Sequence, residues 1–328
     1  MKKKLNKLKF LIESEVAGLT VFLVTIVILF SLASPKFLTV NNLSSMALQL
    51  PELGLLTLAM LIPILSGGLN LAITYTANLS GLALAWTLKN FGGTNAGIDA
   101  FILGCIFALF IGALSGYIIG VVVAYTKAHP ILVSLSMMIL MRGIGEFMSQ
   151  GKDITGFPDF VQNIGQGTIL GIPIPLIVFT TCALIWHIIL SRTRQGFGTY
   201  MLGSNVMATN YTGISTKKNL IILYTLSGIM CSVAGIIMLA RFNSVRVGHG
   251  ESFLLITVLA CFLGAVNPFG GFGRVMPVVI ALVILQVLTS GLNILGSNQH
   301  LSTALWGVFL IFVMVLRWVW WKLSVNNE

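Results

Sequence analysis

Residues 53–88 read LGLLTLAMLIPILSGGLNLAITYTANLSGLALAWTL, thirty-six positions without a single charge. A helix needs about 20 predominantly apolar residues to cross a bilayer, so this stretch is too long for one span and long enough for two. The interruption falls at Ser66-Gly67-Gly68-Leu69-Asn70, where two glycines and an amide break the run. Two readings of the break stand side by side. It is a tight turn joining two helices at the cytoplasmic face, or it is broken backbone at membrane depth, which is tolerated only where it is buried in protein or lines a water-filled cavity.

The rest of the chain repeats the pattern. Of 328 residues, 56% are hydrophobic and only 9% charged, against about 25% charged in a soluble domain, so a water-soluble fold is excluded. Apolar runs place spans at about 16–33, 45–66, 71–88, 100–124, 131–148, 169–190, 220–240, 253–266, 275–295 and 301–321. The expected fold is all-α: a polytopic membrane protein of about ten transmembrane helices, forming one domain over residues 1–328. The first run follows Lys2, Lys3, Lys4, Lys7 and Lys9, as in a secretory signal peptide, but its length suits an uncleaved first helix.

Nineteen Lys and Arg face nine Asp and Glu, a net charge of +10. With the amino terminus inside, cytoplasmic segments collect thirteen of the nineteen, the outer ones hold Lys36, Lys89, Lys152, Arg241 and Arg246, and Arg142 falls within a span. That asymmetry predicts an N-in, C-in topology and explains the basic excess without nucleic acid. Trp318, Trp320 and Trp321, followed by Lys322, read as an interfacial belt closing the last helix. Cys105, Cys182, Cys231 and Cys261 lie in apolar runs at irregular spacing and read as core residues; neither a disulfide framework nor a metal site is expected.

A second break, Asn267-Pro268-Phe269-Gly270-Gly271-Phe272-Gly273-Arg274, follows an unusually short span. Short, glycine-interrupted helices point to a transport path. The cytoplasmic loop 191–219 carries four basic residues and no acid, and is long enough for a short surface helix. Gly112, Gly116 and Gly120 recur at every fourth position and expose a strip of backbone for a neighbouring helix. Arg142 and Glu146 stand one helical turn apart, so the pair neutralises itself; a proton relay needs further intramembrane acids, and only Glu52 is at hand.

No phosphate-binding loop, no Ser/His/Asp set, no paired carboxylates and no HExxH stand in the sequence. The chain therefore reads as a transport subunit and not an enzyme. Either an ATPase on another chain drives it, or it is an ion-coupled secondary transporter, which predicts midplane acids and an internal repeat.

Six motifs in order resemble those of the ribose/galactose-type ABC importer permeases, over about residues 38–318. Ser66-Gly67-Gly68-Leu69-Asn70-Leu71-Ala72-Ile73 is similar to that family's S-G-G-I-D-L-S-V-G segment, followed by Leu79-Ser80-Gly81. Lys127-Ala128-His129-Pro130 running to Arg142-Gly143, the outer loop Gly156-Phe157-Pro158-Asp159 to Pro173, and Leu263-Gly264-Ala265 through Gly270-Gly271-Phe272-Gly273-Arg274 also match. Thr193-Arg194-Gln195-Gly196, Tyr200, Gly203-Ser204-Asn205, Ala208 and Gly213-Ile214 resemble the family's coupling loop.

The resemblance implies two permeases paired around a central path, as a homodimer or, preferred here, with a paralogue. It further implies an ATPase with two fused nucleotide-binding domains, which carries the ATP and Mg, and an extracytoplasmic solute-binding protein. The setting it implies is the lipid of the bacterial inner membrane. ATPase coupling is expected of Arg194, Asn205, Met207, Ala208, Tyr211 and Gly213. The path is expected to be lined by Asn70, Thr74, Tyr75 and Asn78, with helices broken around Gly67-Gly68 and Gly270-Gly271; Asn70, Thr74 and Asn78 recur at four-residue steps and are expected to form one polar stripe on a helix, flanked by Tyr75. Asn70 stands where the family has an acid, and Val206 and Met207 replace two more. A neutral, hydrogen-bonding path suits a small polar solute, in first place a monosaccharide. A furanosyl autoinducer, a nucleoside or riboflavin are the alternatives within the family.

Overall fold

The computed structural model describes residues 2–297, with side chains from residue 16 onward, and positions 304, 306–308, 311 and 315 beyond. Within residues 2–297, twelve α-helices run in order: α1 (Lys2–Ala33), α2 (Val40–Leu65), α3 (Ile73–Asn90), α4 (Ile98–Thr126), α5 (Pro130–Ser149), α6 (Asp159–Gln166), α7 (Ile174–Arg192), α8 (Arg194–Ser204), α9 (Val206–Tyr211), α10 (Thr216–Phe242), α11 (Phe253–Leu263) and α12 (Val275–Ile294). A single 3-10 turn (Gly93–Asn95) and four two-residue strands complete residues 2–297: β1 (Ile154–Thr155), β2 (Thr168–Ile169), β3 (Ile172–Pro173) and β4 (Ser244–Val245). β1 pairs with β4 and β2 with β3, both antiparallel.

Seven of these helices are long and apolar enough to cross a membrane: α2, α4, α5, α7, α10, α12 and the Val16–Ala33 part of α1. Three expected spans differ. α3 is eighteen residues long but rich in hydroxyls and amides, and it is buried on nearly all sides by its neighbours. α11 is only eleven residues, about 16 Å at 1.5 Å per residue, roughly half the hydrocarbon thickness. The span expected to begin at residue 169 begins instead at Ile174, because the preceding residues turn back in the β2–β3 hairpin. The tenth expected span, 301–321, and the tryptophan belt after it lie for the most part outside the described residues.

α2 is the axis of the bundle. Every residue from Leu50 to Leu65 is buried, Pro51 and Pro63 included, so the carbonyls that a helix proline leaves unpaired are covered by protein. α3, α7, α10, α11 and α12 pack around it. The tightest helix pair is α4 against α10. A Cβ on Gly112 would overlap the Gly228 carbonyl, one on Gly116 the Tyr224 carbonyl, and one on Gly120 would lie 2.7 Å from Ile221 Cα, so the glycine strip read in the sequence is the groove into which α10 fits. Hydroxyl pairs hold α3 in this core: Thr76 with Ser115 of α4 at 3.1 Å, Ser80 with Ser232 of α10 at 2.9 Å. All four cysteines are free, Cys231 and Cys261 fully buried.

Helix starts follow local chemistry. Thr193 accepts from the Gly196 N–H at 3.2 Å, Asn205 from Ala208 at 3.0 Å and Ser215 from Lys218 at 3.4 Å, capping α8, α9 and α10. Pro130 opens α5, where its missing N–H costs nothing. The connections alternate between the two ends of the bundle. Segments 66–72, 127–129, 193–215 and 264–274 share one end, which carries the basic loop.

Candidate functional site

Both glycine breaks lie at that basic end, and they touch. The α2 helix closes at Ser66, whose backbone turns through Gly67 at φ +83°. Asn267 closes the second break by donating from Nδ2 to the Gly270 carbonyl at 3.0 Å and accepting from Phe269 N–H on Oδ1 at 3.1 Å. Gly271 N–H then donates to the Leu65 carbonyl at 2.9 Å. A Cβ on Gly270 would come within 2.5 Å of Gly67 N, and one on Gly203 of α8 would overlap Leu65 O and Gly271 N. Three backbones meet here at a separation that only glycine allows. Tyr200 of α8 adds a bond from its hydroxyl to the Gly273 carbonyl at 2.8 Å; burial raises the pKa of that hydroxyl, so it stays a donor.

The loop 191–219 folds into α8 and α9. Gly196 and Gly198 seat α8 against the ends of α7 and α10, while Thr209 alone is buried in α9. Arg194, Asn205, Met207, Ala208, Tyr211 and Gly213 are the expected coupling residues. Arg194, Asn205, Met207, Tyr211 and Gly213 are exposed, and Ala208 stands on the same short helix. Met207 and Tyr211 are 66% and 87% exposed, with Val206 beside them at 52%. Among the described residues nothing covers this apolar face, which stands on the basic loop.

Asn70 belongs to the connection and not to a helix, because α3 starts at Ile73; it does not extend a stripe with Thr74 and Asn78. Its Nδ2 donates to Ser227 Oγ at 3.0 Å and its Oδ1 accepts from Ala72 N–H at 3.1 Å, and Ser227 passes the chain on to the Ala59 carbonyl at 2.7 Å. The amide thus ties the first break to α10 and α2. Thr74 and Asn78 are buried in α3, with Thr74 Oγ1 and Asn78 Nδ2 unpaired among the described residues. Tyr75 is buried too, its ring 5.8 Å from the Arg142 guanidinium.

At the opposite end the structure shows a polar cluster where the sequence alone suggests a self-neutralised pair. Arg142 Nε bonds Glu146 Oε1 at 2.8 Å, and both side chains are about half exposed (54% and 50%). Leu135, Ile139, Arg142 and Glu146 recur at helical spacing on the face of α5 opposite its buried Met137, Met141 and Gly145. Glu146 opens into a cleft of about 640 Å³ shared with Gln150, Asp153, Arg246 and Glu251. His249 in the same segment stacks on Phe242 at 4.2 Å; burial and then Arg246 hold its pKa below the usual value, against the pull of Asp153. The sequence signal for this cluster is the density of ionisable residues in loops 150–159 and 241–251, which the β1–β4 pairing and the bond from Phe157 N–H to Asn243 Oδ1 at 3.3 Å bring together.

Residues 42–316 match the model of the branched-chain amino acid transport system / permease component family. The chain is similar to the autoinducer 2 import system permease protein LsrD of Photorhabdus temperata, 30% identical over 306 residues, which covers 92% of this chain and 90% of that protein. The proteins of the same name from Yersinia enterocolitica and Escherichia coli O9:H4 are each 29% identical over 306 residues, at 92% of this chain and 90% and 91% of their own. No solved structure matches the chain.

Proposed function

The chain belongs to the branched-chain amino acid transport system permease component family, and we propose that within it this protein forms half of the path for a small, neutral, hydroxylated solute. It is a permease of an ABC importer and a multi-pass protein of the bacterial inner membrane. Such a subunit works with an ATPase and a solute-binding protein. The named relatives import autoinducer 2, and a furanosyl compound of that kind or a monosaccharide is the solute class proposed here.

The single observation that carries the path is the half-exposed ion pair on α5. Arg142 lies seven residues before the end of α5, about 10 Å into the helix. Charged groups facing hydrocarbon are costly and rare within spans; they face the interior of an assembly or water. The α5 face with Arg142 and Glu146 therefore lines the water-filled path between two permeases, with Tyr75 behind it. Asn70, Thr74 and Asn78 back this wall, and Gly270 and Gly271 hold its cytoplasmic end. The preferred second permease is a paralogue that keeps the two acids which Val206 and Met207 replace.

The other half of the proposal is coupling. Arg194, Asn205, Met207, Ala208, Tyr211 and Gly213 meet an ATPase with two fused nucleotide-binding domains, which binds the ATP and Mg. Its states then shift a two-state dimer through α8, which rests directly on both glycine breaks. With that end cytoplasmic, α1 enters the membrane from the inside.

Cysteine accessibility tests the path. In a background with Cys105 and Cys182 replaced by Ala, Glu146→Cys in the ATPase-bound complex is expected to react with a water-soluble maleimide in at least one nucleotide state. Phe110→Cys, on the exposed apolar side of α4, is expected to stay unreactive. Protection of position 146 in every state, or equal labelling of both, places the path elsewhere.

A further inference from the structure

A second polar cavity, of about 280 Å³, lies inside one protomer between α2, α10, α11 and α12. Its rim carries the exposed side chains of Gln49, Ser252 and Asn293, and its floor the buried side chains of Glu52 and Gln286. Glu52 is only 1% exposed. Arg241 Nε stands 2.9 Å from Glu52 Oε1, yet its N–H is not directed at that oxygen, which accepts no hydrogen bond among the described residues. Gln286 Nε2 donates to Gln49 Oε1 at 3.1 Å, and the rings of Phe253 and Trp306 complete the wall.

A helix-packing role alone explains this cluster poorly. Burying an ion pair costs desolvation that its own attraction only partly returns, and an acceptor left open adds to the cost. Arg241 Nη1 also donates to the Leu48 carbonyl of α2 at 3.3 Å, but α10 is fastened to α2 elsewhere as well, by Ser227 Oγ on the Ala59 carbonyl at 2.7 Å. What the lining offers is a carboxylate oxygen with free capacity, the Arg241 guanidinium, three amides that donate and accept, and the aromatic rings of Phe242, Phe253 and Trp306. That set recognises a compound with several hydroxyls and an apolar ring face. The volume holds about nine waters at roughly 30 Å³ each, and so one pentose-sized solute.

The position fits the path as well. Gly248 and Glu251 line the charged cleft beside α5, and Ser252 and Phe253, the next residues, line this cavity. One short segment separates the two. We propose that the cavity is a binding chamber for a small hydroxylated solute, held by Glu52, Gln49, Gln286 and Asn293 and reached from the cleft across segment 246–253. The proposal rests on the importer reading above and names the site where its solute is held.

The test uses the full chain assembled with its partners, autoinducer 2 and D-ribose as probes, and two reporters, Thr289→Cys and Ser252→Cys, both in the cavity wall. A water-soluble methanethiosulfonate is expected to label each reporter, and a transported probe is expected to slow labelling about tenfold near saturation. Gln286→Leu or Gln49→Leu is expected to abolish that protection while leaving labelling itself intact. Reporters that never label mean a dry cavity and overturn the proposal. So does a probe that is taken up while leaving labelling unchanged, or protection that survives both leucine variants; in those cases the importer reading stands. Uptake of neither probe overturns the solute class, and the chamber falls with it.

Discussion

Gly271 and Leu65 are joined by a 2.9 Å bond from the N–H of the second glycine break to the last carbonyl of α2. Gly203 of α8 lies against both atoms, so close that a Cβ has no room. Any displacement of α8 is therefore passed to the end of the buried axis helix and to the connection that leads into α3. Gly203→Val is expected to separate these backbones. Overpacking of this kind costs about 1–3 kcal/mol. Thermal unfolding in detergent should show a loss of that size, and uptake should fall further than stability. Unchanged unfolding and uptake would show that the contact is slack.

The docking face on α9 gives a sharper test of partner binding. Met207 and Tyr211 are four residues apart and exposed on one side of a helix that Thr209 fastens to the membrane domain. Exposed tyrosines at interfaces are frequent hot spots, worth about 2 kcal/mol or more on truncation, which is roughly thirtyfold in Kd. Tyr211→Ala is expected to weaken ATPase binding by that order without moving the unfolding midpoint. Gly213→Val probes the same loop through its backbone. Its φ of +78° suits glycine, although open space surrounds it, so its effect comes from strain alone.

His249 has a pH signature. Burial and Arg246 place its pKa below the ordinary 6.5. The unfolded chain then takes up the proton first as pH falls. The contribution to stability is fully present above 6.5, declines as the pH drops below that value, and is gone below the folded pKa. Ring-labelled NMR between about pH 7.5 and 5.5 should give a titration midpoint below 6.5, and His249→Gln should flatten the pH dependence of unfolding in that window. A midpoint at or above 6.5 contradicts the burial on Phe242.

Much of this was legible in the sequence, and the reasons are physical. A span announces itself because lipid demands about 20 apolar residues, and α1, α2, α4, α5, α7, α10 and α12 all do so. The Gly112-Gly116-Gly120 strip was legible because small residues at four-residue spacing have one obvious use. α3 was harder. Its polar side chains face protein, so its sequence states the needs of its neighbours, and Asn70 could be assigned to its stripe only by ignoring where the helix begins. Neither the meeting of Gly203 with Gly270 and Gly271 nor that of Glu52 with Arg241 was legible. Each joins segments far apart in the chain, and nothing local in a glycine or an acid tells which distant backbone or cation it meets.

Gly116 and Gly143 turn the packing argument into a contrast between two glycines in adjacent helices. A Cβ on Gly116 would overlap the Tyr224 carbonyl and crowd Thr225 Cα at 2.9 Å, and both are backbone atoms that cannot rotate away. Around Gly143 there is nothing within 4 Å. Alanine favours a helix interior over glycine by about 0.5–1 kcal/mol. At Gly143 that gain stands alone, so Gly143→Ala is expected to raise the unfolding midpoint of the isolated protomer slightly. At Gly116 the same gain is set against forcing α4 and α10 apart along their tightest contact, and a loss of about 1–3 kcal/mol is expected. Gly143 also neighbours Arg142, beside the face proposed to line the path between the two permeases, where the rim of that path meets the second subunit. Gly143→Leu should therefore leave the protomer stable and weaken assembly, read as a shift from dimer to monomer by light scattering in detergent. Equal unfolding midpoints for the two alanine variants would refute the close packing of α4 on α10. An unaltered dimer in Gly143→Leu would place the interface on another face of α5.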